Sequence, residues 1–222
     1  MIESGGWKDD IEKQYIRKLN FITLLSACRS IIEETYKNED DSVYDDIPFN
    51  ETDLMDVLLR NLKYKNAGHE YLIDVGINHS EINTDSAKAF YIKSSVEDIG
   101  DLSVFFGYED YDFKGFEIEI GKTYPDILPS LEEIEKLDFN DLYRQGYTNV
   151  KLDSTKNLEE KYTKLPINIL TGNRELNPKE IKLGSNPNFL IKKNNVVKYI
   201  VVNGFIYNID QKKGEIRNAL IY

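Results

Sequence analysis

Apolar side chains recur three or four residues apart from residue 8 to residue 37. Ile11, Tyr15, Leu19, Ile22, Leu25, Ile32 and Tyr36 carry the period, and Ile16, Leu24 and Ile31 widen the stripe. That spacing returns side chains to one face of a helix. Neither Pro nor Gly interrupts the run, and only Cys28–Arg29 softens it. At ~1.5 Å per residue it would reach roughly 45 Å. The stripe is wider than the two heptad positions of a coiled-coil seam, so a backbone helix of the core is expected. Packing against another subunit is the alternative role.

Further along, Leu54, Leu58 and Leu62, with Val57 beside them, predict a second helix over 52–65. Thr52 or Asp53 would cap it, and Gly68 would stop it. Residues 70–76 alternate loosely, as a short strand does. Residues 84–98 are ambiguous, with Thr84 able to cap a helix that holds Ala87, Phe90, Tyr91 and Val96. Val104, Phe105 and Phe106 suit a buried strand or a helical turn equally. Phe116-Glu-Ile-Glu-Ile120 alternates as a half-buried strand does. Pro125 and Pro129 point to a loop. Ser130 and Glu133 form a capping box ahead of Leu131, Ile134 and Leu137, and another helical turn over 139–145 ends at Gly146.

Beyond residue 150 the texture changes. A helix is expected over 155–163, then strand-like pieces set between Asn, Gly and Pro. Val196–Val202, Asn203-Gly204 and Phe205–Asn208 read as a hairpin with a type I′ turn. Phe189–Ile191 and a strand near 215–221 would join the same sheet. The expected fold class is α+β: a long N-terminal helix and further helices, then a C-terminal antiparallel sheet containing the 196–209 hairpin. The expected organisation is an acidic, helix-rich part over 1–150 and a basic, β-rich part over 151–222, with the two able to share one core.

Charge sharpens that division. The 222 residues include 39 acids and 28 bases, for a net charge of −11. Residues 1–150 hold 32 acids and 15 bases, whereas 151–222 hold 7 acids and 13 bases. A bipolar chain favours orientation-dependent contact between proteins. The acidic excess disfavours nucleic acid and anionic membrane as partners. Lys192, Lys193, Lys198, Lys212, Lys213 and Arg217, with Tyr199 and Tyr207, make only a modest basic patch. One cysteine and two histidines exclude a disulfide scaffold and would leave a zinc site to carboxylates. Neither a signal peptide nor an apolar run long enough to span a membrane is visible.

Several motifs fail on inspection. Gly115–Thr123 reads GFEIEIGKT, but five residues separate its glycines where a P-loop needs four, and two glutamates would repel phosphate. Asp110, Asp112 and Gly115 begin like a calcium loop, yet Lys114 and Gly121 occupy ligand positions. His69 and His79, with Glu70, Asp74 and Glu81 nearby, could pair as acid and base only if a hairpin brought them together. Cys28, within an apolar helix, reads as a small buried hydrophobe.

These observations give no catalytic residue, no cofactor and no metal ligand. Tyrosines interleaved with acids offer a candidate protein-interaction surface: Asp40, Asp41, Tyr44, Asp45 and Asp46, then Tyr108, Asp110 and Tyr111. The expected function is that of a noncatalytic structural or interaction protein in a multiprotein assembly, a viral particle being one such case. Its partners would be other proteins, in a homo- or hetero-oligomer. Its location would be the cytoplasm or an intracellularly assembled particle such as a virion. An acidic regulator that occludes a basic partner surface is the alternative. A hydrolase using the His69–His79 region is the third reading, and it requires a histidine to meet a carboxylate inside a pocket.

Overall fold

A computed structural model describes residues 7, 10, 12–40, 42, 54–84, 89–153, 158, 160–172 and 180–222. Strands take up 48% of the described residues and helices 20%. The expected α+β arrangement, with a long core helix ahead of a C-terminal sheet, is therefore incorrect. The protein is mostly sheet, and the sheet is mixed.

The first described elements are helix α1 (Gln14–Glu33) and a 3₁₀ turn at Thr35–Asn38. Asp10 caps α1, accepting from the N–H groups of Tyr15 and Ile16 at 3.0 Å each. Helix α1 is amphipathic by spacing but buries no residue, so it is not a core helix.

Strands β1 (Leu54–Asn66), β2 (His69–Asn83) and β3 (Phe90–Gly100) follow, each antiparallel to the next. The helix expected over 52–65 is thus a strand. Val57, Leu58 and Leu59 are all buried, so both faces of β1 are covered, and such a strand shows no alternation. The four-residue spacing of Leu54, Leu58 and Leu62 suits a helix and a strand face alike, and the ladder slips between Leu59 and Leu62, so that Leu62 joins Val57 and Leu59 in one core. Asn61, left-handed at φ 59°, is the bulge that causes the slip.

Strand β4 (Phe106–Asp112) runs parallel to the first half of β1, and β5 (Glu117–Ile120) runs parallel to the second half. Strand β6 (Lys122–Leu128) contains Pro125, where a loop was expected. It pairs in parallel with β7 (Tyr147–Leu152), which pairs in parallel with β9 (Asn168–Thr171). Between them lie the short helices α2 (Leu131–Glu135) and α3 (Phe139–Gln145). Ser130 Oγ caps α2 through the Glu133 N–H, and Gly146 ends α3 at φ 92°.

Strand β8 (Tyr162–Thr163) lies where a helix over 155–163 was expected, and residues 154–157 and 159 fall outside the described set. Strands β10 (Phe189–Lys193), β11 (Val196–Val202) and β12 (Phe205–Asn208) extend the main sheet, and β13 (Ala219–Leu220) pairs with β8. The main sheet runs β12-β11-β10-β5-β1-β2-β3, with β4 also on β1. It takes strands from both sides of residue 150. Asn203 (φ 49°) and Gly204 (φ 79°) join β11 to β12, both left-handed as a type I′ turn requires.

Among the described residues, buried apolar side chains fall into three groups. One covers a face of the main sheet around Leu59, Leu62, Val75, Ile118, Ile191 and Val201. A second joins α2 and α3 to the parallel three-stranded sheet through Ile134, Leu142, Val150 and Ile169. The third includes Tyr143, Leu190, Ile200 and Ile209.

Candidate functional site

Buried asparagines bind the two sheets together. Asn168 Nδ2 donates to Asn149 Oδ1 (3.1 Å) and Asn188 Oδ1 (2.6 Å). Asn188 Nδ2 donates to Asn186 Oδ1 at 2.7 Å, and Asn186 Nδ2 donates to Asn203 Oδ1 at 2.7 Å. Asn203 Nδ2 reaches the carbonyls of Ile92 (2.8 Å) and Asn218 (3.2 Å). Amides serve here because each offers two donors and two acceptor sites without a charge to desolvate.

The ladder ends at His79. Ser94 Oγ donates to the Asn203 carbonyl at 2.5 Å and lies 2.7 Å from His79 Nδ1. With its own proton directed to Asn203, Ser94 Oγ meets His79 as an acceptor. Nδ1 therefore carries the imidazole hydrogen, and Nε2 holds the lone pair. The ring stacks on Phe205, with centroids 5.0 Å apart and planes 22° from parallel. Burial holds the imidazole below its ordinary pKa; Asp56 and Glu109 oppose the shift, and Arg217 reinforces it. Gly204 makes the close packing feasible: a Cβ there would sit 2.8 Å from Ser94 Oγ and 3.0 Å from His79 Cε1.

His79 lines a cavity of about 910 Å³. Strands β1, β2 and β4 contribute Asp56, Glu81, Tyr108, Glu109 and Tyr111 to its wall, with Phe90 and Phe205 beside them. Asp56 Oδ2 accepts the His79 backbone N–H at 2.7 Å, and Glu109 Oε2 accepts the Tyr111 hydroxyl at 2.6 Å. Burial and that carboxylate push the Tyr111 phenol well up, so it stays protonated. The cations come from elsewhere: Lys13 and Arg17 from the start of α1, and Arg217 from the segment before β13. Arg217 stands 3.9 Å from Glu12.

The sequence-derived interaction residues separate. Tyr108 and Tyr111 face this cavity. Asp110 does not: Arg60 holds both of its oxygens, at 2.8 and 3.0 Å, and also donates to the carbonyls of Leu102 and Phe105. Asp40 accepts from the Ser42 N–H at 3.0 Å near the end of the 3₁₀ turn. Asp41, Tyr44, Asp45 and Asp46 lie outside the described residues. His69 is exposed at the β1–β2 turn, remote from His79 along β2. Several basic residues beyond 150 meet acids or rings. Lys192 pairs with Glu119, Lys198 with Asp210 at 2.8 Å, and Lys193 lies 4.9 Å above the Phe116 ring. Among the described residues no group of His, Cys, Asp and Glu is placed to hold a metal ion.

The second feature is α1. Phe21 is 62% exposed, Ile31 67% and Ile32 81%, and Leu24 and Leu25 are about half exposed. At about 100° per residue these side chains form several rows. Leu24 and Ile31 lie on one side, Phe21, Leu25 and Ile32 on a second, and Tyr15, Leu19 and Ile22 on a third. Cys28, expected to be buried, is exposed among them. Near the start of the helix, Trp7 packs on Tyr15 at 5.0 Å and its backbone hydrogen-bonds Tyr108. Among the described residues no helix is long and apolar enough to cross a membrane.

Neither a protein-family model nor a curated protein matches the chain. A solved structure that resembles part of it is N-acyl-D-glutamate deacylase from Bordetella bronchiseptica, complexed with zinc and a phosphonate inhibitor. The likeness has 18% identity and a TM-score of 0.32, over 45% of this chain and 19% of that one. It is too slight to carry an argument about fold or activity.

Proposed function

We propose that this protein is a noncatalytic assembly protein whose helix α1 packs against the same helix of further copies. The observation that supports this reading is a helix with apolar residues on every side and none of them buried. Large apolar side chains left open along several rows of one helix mark a contact surface. At ~1.5 Å per residue and roughly 10 Å across, α1 has a lateral surface of about 900 Å². That exceeds the ~800 Å² per partner of a stable interface. One neighbouring helix would cover about half of it, so a bundle of more than two helices suits α1 better than a pair. Fully burying a large apolar side chain contributes about 1.5–3 kcal/mol. Eight such residues, about half exposed on average, offer about 6–12 kcal/mol per helix before the cost of association.

The bodies oppose assembly through their charge, because each chain carries a net −11. Salt screens that repulsion and strengthens apolar contact, so association should increase with ionic strength. Light scattering after size-exclusion chromatography tests the reading. The expected result is an oligomer larger than a dimer that L25E/I32E converts to a monomer with unchanged circular dichroism. A wild-type chain that stays monomeric at high micromolar concentration in high salt overturns it.

A further inference from the structure

We infer that the His79 cavity is a binding site for a small organic cation carrying N–H donors, an amine or a guanidinium. The inference is independent of assembly through α1. It rests on what the strand wall offers. At about 910 Å³ the cavity lies within the range of small-molecule sites. The side chains supplied there by β1, β2 and β4 include three carboxylates (Asp56, Glu81 and Glu109), two tyrosines and His79, and no cation. His79 adds a neutral acceptor, because the Ser94–Asn203 relay fixes hydrogen on Nδ1 and leaves Nε2 its lone pair. No described residue hydrogen-bonds that nitrogen.

A ligand on this wall must therefore bring donors and positive charge. Tyr108, Tyr111, Phe90 and Phe205 add aromatic side chains to the lining, a residue type that attracts cations when desolvated. Lys13, Arg17 and Arg217 do not reverse the balance. Lys13 and Arg17 come from the start of α1, and Arg217, near enough to His79 to lower its pKa, stands 3.9 Å from Glu12. Over the whole lining, five carboxylates face three cations. The rigid ladder behind His79 fixes its ring before a ligand arrives, which limits the ordering cost of binding.

The test uses the full chain with agmatine and spermidine as probes, and with citrate and trehalose as the anionic and neutral comparisons. Calorimetry reads affinity. Nitrogen-15 spectra of the two histidines read the site, with exposed His69 as the internal reference. The expected result is binding of agmatine or spermidine that moves the His79 Nε2 resonance and leaves His69 unchanged. E109Q keeps an acceptor for the Tyr111 hydroxyl and should weaken binding by about tenfold through loss of the charge. E81Q, on an exposed side chain of the same wall, should act in the same direction without endangering the fold. The inference is overturned if neither cation shifts His79, or if citrate or trehalose shifts it instead. Cation binding that survives both E109Q and E81Q unchanged overturns it as well.

Discussion

Asn203 is where the structure concentrates most on one side chain. It is fully buried and uses both donors and both acceptor sites of its amide. Its φ of 49° also opens the β11–β12 turn. Asn203→Ala leaves the Ser94 N–H and the Asn218 carbonyl without these partners. The Ile92 carbonyl still accepts from Asn218 Nδ2, and Asn186 still reaches the Ser94 carbonyl. Two orphaned buried groups cost about 1–3 kcal/mol each, and the left-handed backbone costs Ala about 1–2 kcal/mol more. The expected loss is about 5 kcal/mol, comparable to the whole stability of many domains.

N203D separates hydrogen bonding from shape. It keeps both accepted bonds, but turns a second oxygen toward the Ile92 and Asn218 carbonyls. Burial and those carbonyls would raise the folded-state pKa of the new carboxyl above its unfolded value near 3.9. The unfolded chain then releases its proton at lower pH than the folded one, so the deficit grows as pH rises from about 4. Urea unfolding of both variants from pH 4 to 8 checks this. A loss under ~1 kcal/mol for N203A, or a pH-independent deficit for N203D, would refute the role assigned to the ladder.

Arg60 ties β1 to Asp110 and to two carbonyls, so Arg60→Met should cost about 3 kcal/mol in urea unfolding, with Asp110→Asn costing less because an acceptor remains. Gly204→Ala sets a Cβ 2.8 Å from Ser94 at φ +79°; strain and overpacking together should cost about 2–5 kcal/mol, seen as a lower Tm. His79 has a depressed folded-state pKa, so the unfolded chain binds its proton first as pH falls below the ordinary value of 6.5. Its contribution to stability is present above that pH and is lost as pH falls toward the folded-state pKa. Melting curves between pH 7.5 and 5.5 should slope more steeply for the wild type than for His79→Gln, and equal slopes would contradict the assignment.

Local signals in the sequence survive where a few neighbouring residues decide the outcome. The Asn203-Gly204 turn, the Ser130 cap and the stop at Gly146 are such cases. Strand β1 misleads because it is an interior strand, flanked by β2 on one edge and by β4 and β5 on the other, and is buried on both faces, so it lacks the alternation of a half-exposed strand. Helix α1 shows the reverse problem. Its period is legible, but periodicity reports which side chains avoid water and not which surface shields them. Tyr108 and Tyr111 stand out as aromatics among acids, yet the cavity they face depends on the register that sets β4 against β1. His79 gave only a weak signal as one of two histidines. Its tautomer depends on Ser94 and Asn203, which lie 15 and 109 residues apart from their respective partners in the relay.

The asparagine ladder also orders events in time. Asn218 pins Ile92 across 126 residues, and the Leu220 N–H closes on Asn168 across 52. Contacts that distant demand large loop closures before they contribute anything, so they belong late in folding. Until residues 218–222 have been synthesised, neither pin exists, and the amides they would satisfy compete for water. Folding of the main sheet should therefore be slow, on the millisecond-to-second scale of nonlocal β proteins, and should reach completion only after residues 218–222 emerge.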